Sequence, residues 1–241
     1  MSVPRATRVC EPTFHPSDRR IAEFAESRAC RTERIVMEAH LFHCKRCSRA
    51  VADATPRSDA EWNAAAAEAR EGGSSAPSAR SGLAFDRLWG RVEQSGTVRW
   101  PKEAAVLPPG VLAELEPAER WSWMNLWPSG TRYTVLVREP SANRELYLAY
   151  YGKDSAFPMH YHVEPEDNVI LAGGYKNGTQ QVLAGDWVDG IPGTRHSPRT
   201  ARDEECWCLS LVHVGGSKLE TFHGRFQAWL EAWQARRERL P

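Results

Sequence analysis

Glycine is missing from the first 71 residues of this 241-residue chain: all 17 glycines lie at or after Gly72, and nine of the ten tryptophans lie at or after Trp89. Glycine weakens helix interiors and supplies the turns between strands, whereas alanine and charged residues favour helix. A Gly-free, Ala- and charge-rich start therefore reads as helical, and the Gly/Trp/Tyr-rich remainder reads as β. One chain carries two kinds of structure, with predicted divisions at 1–71, 72–100 and 101–241.

In the first part, Ser17 or Asp18 suits a helix N-cap, and Ile21, Phe24 and Ala25 follow at helical spacing, predicting a helix of about three turns. Glu33 to about Cys47 makes a second helix, with Ile35, Val36 and Ala39 on its buried side. SDAEWNAAAAEAREGG places Ser58 and Glu61 in capping-box spacing and ends at Gly72, a third helix. GGSSAPSARSG is a linker by composition. Beyond it, Phe85, Leu88, Trp89 and Val92 form an amphipathic helix that packs either on the following domain or on a partner protein.

From Arg120 the apolar period changes to two. RWSWMNLW, TRYTVLVR, RELYLAYY, DNVILAGGY, TQQVLAGDWV and CWCLSLVHV are short strands separated by turn signals, with Asn177-Gly178 suited to a type I′ hairpin. Such strands with no helix between them predict an antiparallel sandwich or barrel. A last helix is expected from the stripe Phe222, Phe226, Trp229, Leu230 and Trp233.

Lysine plus arginine number 31 and aspartate plus glutamate 31, so there is no global drive toward nucleic acid. No apolar run approaches membrane-spanning length and MSVPRATRVC lacks a signal-peptide core, so the expected location is cytoplasmic. In a reducing cytoplasm, the pairs Cys44/Cys47 and Cys206/Cys208 favour metal, redox or packing roles over disulfides.

Two stretches concentrate metal-binding chemistry. In HLFHCKRC, a helix at 100° per residue puts His40, Cys44 and Cys47 within about 60° of one another and turns His43 aside, to an exposed or supporting role. Three ligands share a face, and a tetrahedral site needs a fourth. Upstream of His40 the candidates are His15, Cys10 and Cys30. In HYHVEPEDNVILAGG, His160 and His162 project from one strand face, Glu166 follows, and His196 arrives after the turn IPG. Three imidazoles and a carboxylate converging inside a barrel suit a divalent ion such as Zn, Fe, Mn or Ni.

The pattern H-x3-C-x2-C with an upstream histidine resembles the zinc-binding anti-sigma fold. That resemblance implies the set His15, His40, Cys44 and Cys47, with zinc stapling a small all-α bundle. The pattern H-x-H-x3-E-x6-G ending at Gly173, with Gly185, Gly193 and His196, resembles the two metal motifs of the cupin superfamily; Pro192 is shifted by one from the usual position, where Ile191 stands. It implies an all-β cupin barrel, an antiparallel double-stranded β-helix. The two together resemble the ChrR-like anti-sigma factors.

That family implies a partner, an extracytoplasmic-function (ECF) sigma factor held by the helical domain, and release under a small-molecule or oxidative signal at the cupin. It implies no catalytic residues. The competing expectation is an enzyme: a metal-dependent cupin dioxygenase or isomerase, with Tyr161, Tyr175 or Arg195 near the site and the helical domain regulatory or dimerising. Cys206 and Cys208, two apart on one strand, read as packing residues ahead of redox reporters.

Overall fold

The computed structural model describes residues 3–6, 11–55, 100–126 and 129–220. The helices expected over 58–72 and 85–95, the linker between them and the aromatic stripe from Phe222 onward lie outside these residues.

Three helices open the chain: α1 (Asp18–Ala25), α2 (Arg31–His43) and α3 (Lys45–Ala54). Ser17 caps α1, its side chain accepting from Arg20 N at 3.4 Å, and Ser27 ends the turn in the left-handed region at φ 57. The single helix expected from Glu33 to Cys47 is two. At Cys44 the backbone is extended (φ −105, ψ 103), and this residue both closes α2 and caps α3. The cause is local: Cys44 Sγ accepts from Cys47 N at 3.3 Å, so the sulfur serves one of the free N–H groups that open α3. A 3-10 turn (Lys102–Val106) and a short α4 (Pro109–Glu114) precede the strands.

The ten strands are β1 (Met124–Leu126), β2 (Thr131–Glu139), β3 (Arg144–Tyr151), β4 (His160–His162), β5 (Glu166–Asn177), β6 (Gln180–Leu183), β7 (Trp187–Gly190), β8 (Arg195–His196), β9 (Cys206–His213) and β10 (Ser217–Leu219). The larger sheet runs β1-β2-β3-β9-β5-β6 with β7 also on β5, and a smaller sheet runs β10-β4-β8. The paired strands are antiparallel. The β5–β6 hairpin pairs Asn177 with Gln180, so its loop is Gly178-Thr179, one residue later than expected. Only Gly178 has positive φ (61), the pattern of a type II′ turn, which needs a left-handed residue at its first position alone.

The central strands are buried on both faces, and the period of two sorts their side chains into two cores. Leu146, Leu148 and Tyr150 of β3, Val169 and Leu171 of β5, and Trp207, Leu209 and Leu211 of β9 share one apolar cluster. The alternate residues Ala149, Tyr151, Ile170, Cys206 and Cys208 share the second with Tyr175, Val182 and Val188.

The helices lie on the first of these faces. Ile35, Val36, Met37 and Ala39 of α2 are between 0% and 2% exposed and belong to the same cluster as Leu146, Leu148, Leu209 and Leu211. Burying an Ile, a Val and a Met is worth roughly 5–9 kcal/mol at about 1.5–3 kcal/mol each. Charge fixes the pose. The Glu139 carboxylate at the end of β2 accepts from Arg31 N (3.2 Å), Thr32 N (3.0 Å) and Thr32 Oγ1 (2.7 Å), so a strand residue caps α2. Arg20 of α1 reaches Asp167 of β5 at 2.6 Å and Glu33 at 2.8 Å, and Arg144 of β3 also meets Glu33 at 3.0 Å. Removing one partner of such a pair would leave the other charge buried and uncompensated.

Candidate metal centres

The first centre forms where three elements meet. His40 sits in the last turn of α2, Cys44 at the α2–α3 break and Cys47 in the first turn of α3, while His15 comes from the extended segment before α1. One ligand atom from each of the four lies within 4.8 Å of every other. His15 Nδ1 stands 3.4 Å from both Cys44 Sγ and Cys47 Sγ. Ligands on a tetrahedral zinc, with Zn–S of about 2.3 Å and Zn–N of about 2.0–2.1 Å, would be about 3.5 Å apart, N to S. The break at Cys44 keeps this convergence by a route other than one continuous helix.

Protonation fits the same conclusion. His40 Nδ1 lies 2.8 Å from Gly185 O, and a carbonyl only accepts, so Nδ1 carries the proton and the Nε2 lone pair faces the group. That Nε2 is buried and has no hydrogen-bond partner among the described residues. Burial above all holds the His40 pKa down at about 4, so its imidazole is neutral at pH 7. His15 is also lowered, by burial and the Arg46 charge. Cys47 is pushed up to about 12 by burial and by the hydrogen bond and charge of Cys44. Two thiols and two neutral imidazoles packed this closely suit a dication, whose charge reverses the penalty on the thiolates.

Two other residues of this segment take different roles. His43, expected as exposed or supporting, is 3% exposed and packs edge-on against Phe42. Cys30 caps α2, with its own N–H bonded to Glu33 at 2.9 Å, and stands apart from the metal group.

The second centre lies in the smaller sheet, where β4 pairs His160 with His196 of β8. His160, His162 and His196 bring their ring nitrogens together: His196 Nε2 is 2.9 Å from His160 Nε2 and 3.0 Å from His162 Nε2. Adjacent corners of an octahedral shell with bonds of about 2.1 Å are about 3.0 Å apart, so the spacing fits a hexacoordinate divalent ion. His160 Nδ1 donates to Pro158 O at 3.1 Å, which leaves its Nε2 free to ligate. Burial holds His160 and His196 at about 4.

Glu166 is not brought into this convergence. Its Oε2 faces Nδ1 of His162 at 3.5 Å, on the far side of that ring, and accepts from Ser217 Oγ at 3.0 Å, while Oε1 accepts from Asn168 Nδ2 at 3.0 Å. The carboxylate thus stands beside an imidazole without a hydrogen bond to it, and His162 Nδ1 is buried with no partner among the described residues.

Motif glycines earn a physical reason here. Gly173 (φ +68) could not carry a Cβ, which would stand 1.7 Å from Glu205 O. Gly190 is not one of the motif glycines, yet a Cβ there would meet His162 Cε1 at 2.7 Å and Glu166 Cβ at 2.8 Å, so the bare backbone makes room for the ligand ring. A glycine inside a strand pattern was the available signal. Cys206 and Cys208 are 0% and 1% exposed, and burial drives both thiols far up, Cys208 to about 12.

Residues 115–215 match the family model of the ChrR cupin-like domain. That span takes in strands β1 to β9. The crystal structure of Rhodobacter sphaeroides SigE in complex with the anti-sigma ChrR contains a chain 21% identical to this one; the match covers 83% of this chain and 98% of that chain with a TM-score of 0.53. Two other solved structures match over shorter stretches. A cupin-like protein from Ralstonia eutropha JMP134 is 17% identical over 45% of this chain and 76% of its own (TM-score 0.36), and the polyketide cyclase RemF from Streptomyces resistomycificus 19% over 34% and 63% (TM-score 0.32). No curated protein matches. Helices carrying a His/Cys group thus precede the stretch that matches the ChrR cupin-like domain. Among the described residues no helix is long and apolar enough to cross a membrane.

Proposed function

We propose that this chain is an anti-sigma factor that sequesters an ECF sigma factor through its zinc-bound helices and releases it on an oxidative or small-molecule signal tuned by a second metal in the barrel. The observation that carries the reading is the convergence of His15, His40, Cys44 and Cys47 ahead of a ChrR cupin-like domain. That donor set is complete and made of soft sulfur and imidazole, which favours zinc in a closed structural site over an open catalytic one. Bound there, zinc supplies folding energy to helices of 8, 13 and 10 residues that are too short to hold themselves.

The chain's own residues do the rest. His15 ties the N-terminal arm to the α2–α3 corner, and the apolar face of α2 is committed to the barrel, so a partner is gripped by the remaining faces of α1 and α3. In the barrel, His160, His162 and His196, with Glu166 beside them, hold a divalent ion (Zn, Fe, Mn or Ni). Since α2 and the barrel share one apolar cluster, a change at the barrel has a packed route to the helices. The cytoplasm, where sigma factors work, is the expected compartment.

The test is direct. The zinc-loaded full chain, mixed with ECF sigma factors of the same genome, should form a stoichiometric complex on size exclusion and block their binding to core RNA polymerase. A folded, zinc-loaded chain that binds none of them contradicts the proposal.

A further inference from the structure

The N-terminal metal group is not supported by helices alone. Asp186, in the turn between β6 and β7, is 2% exposed, and both its oxygens are committed. Oδ1 accepts from Thr13 N at 2.6 Å and Phe14 N at 3.0 Å, while Oδ2 accepts from Leu183 N at 2.8 Å. Trp187 N donates in turn to Phe14 O at 3.1 Å. The peptide just before His15 is therefore pinned along its backbone to a barrel turn more than 170 residues away in sequence. The preceding residue of the same turn, Gly185, offers the carbonyl that fixes the His40 tautomer, and the Trp187 indole meets the His40 ring edge-on at 5.9 Å. Gly185 has φ 92, a left-handed backbone that glycine adopts freely.

We infer that Gly185–Trp187 of the barrel positions both histidines of the N-terminal metal group, with Asp186 the residue that holds the His15 arm in register. The inference rests on reading His15, His40, Cys44 and Cys47 as a metal group, and it extends that group's supporting shell into the barrel. Asp186 is a positioning residue: it touches no ligand atom, and it acts on His15 through the two N–H groups that precede it. His15 depends on this, because it lies on a segment outside any helix or strand that could hold its backbone. The turn leads straight into β7, which ends at Gly190 against His162 and Glu166, so the supports of the two metal centres stand at the two ends of one four-residue strand.

Asp186→Asn keeps the size of the side chain but replaces one accepting oxygen with an amide that cannot accept from an N–H. Thr13→Pro removes one donor from the arm and leaves the barrel turn intact. In full-length protein, zinc loss to a competing chelator should be about 10- to 100-fold faster in both variants than in wild type, the range for loss of a ligand-orienting partner. Cobalt(II) substituted at the site should show a changed sulfur-to-metal absorption spectrum in both. Barrel metal content of Thr13→Pro should stay as in wild type. If both variants lose zinc at the wild-type rate, the positioning role is overturned while the metal site stands. A parallel loss of barrel metal and folding in both variants overturns it in favour of a general structural role. Wild type that retains no zinc overturns both the metal reading and this inference.

Discussion

Ile35→Ala separates a helix docked on the barrel from one that merely precedes it. Ile35 is 0% exposed and sits in the cluster that includes Leu146, Leu148, Leu209 and Leu211. The substitution removes three carbons, worth about 2.4 kcal/mol at about 0.8 kcal/mol each. It also opens a cavity of roughly 80 Å³ before relaxation, which at about 24 cal/mol per Å³ adds up to about 2 kcal/mol. The expected loss is therefore about 3–4 kcal/mol, inside the usual range of about 2–5 kcal/mol for such truncations. The assay is urea unfolding followed by tryptophan fluorescence, because Trp123, Trp187 and Trp207 belong to or pack on the same cluster. The midpoint of that signal should fall. An unchanged tryptophan midpoint, with helical circular dichroism lost at lower urea, would show that α2 does not share the barrel's core and would refute the reasoning.

Two further expectations follow from particular residues. Gly173→Ala should abolish soluble expression or barrel metal binding, since left-handed strain of about 1–2 kcal/mol is joined by a Cβ that would stand 1.7 Å from Glu205 O; a folded, metal-binding variant contradicts the register. Cys206 and Cys208 should resist iodoacetamide in native protein at pH 8 and react once it is unfolded, because burial drives both thiols up, Cys208 to about 12. Modification at the rate of a free thiol would show that the barrel interior opens.

Strands β2, β3, β5 and β9 were legible as short apolar and aromatic runs bounded by turn signals, although β5 and β9 are buried along most of their length on both faces. His160 and His162 were legible because residues two apart on a strand share one face. The helix break at Cys44 was not, since HLFHCKRC contains no Gly or Pro. What ends the helix is a sulfur accepting Cys47 N, a capping role that sequence rules give to oxygen side chains. The burial of His43 and the place of Glu166 behind His162 depend on neighbours brought together by the fold. Ile35, Val36 and Ala39 were read as a buried stripe, but a stripe does not say what covers it, and here strands from the second half of the chain do. Asp186 carried no local signal: its partners Thr13 and Phe14 are backbone groups far away in sequence.

Two metals are expected in each chain, one clamping the helices and one inside the barrel. Elemental analysis of the full-length protein tests it most directly, comparing wild type with Cys44→Ser/Cys47→Ser and His160→Ala/His162→Ala. Wild type should carry two metal ions per chain, with zinc lost from the first double variant and the barrel ion lost from the second. A wild-type chain with one metal, or a first double variant that still holds two, would contradict it.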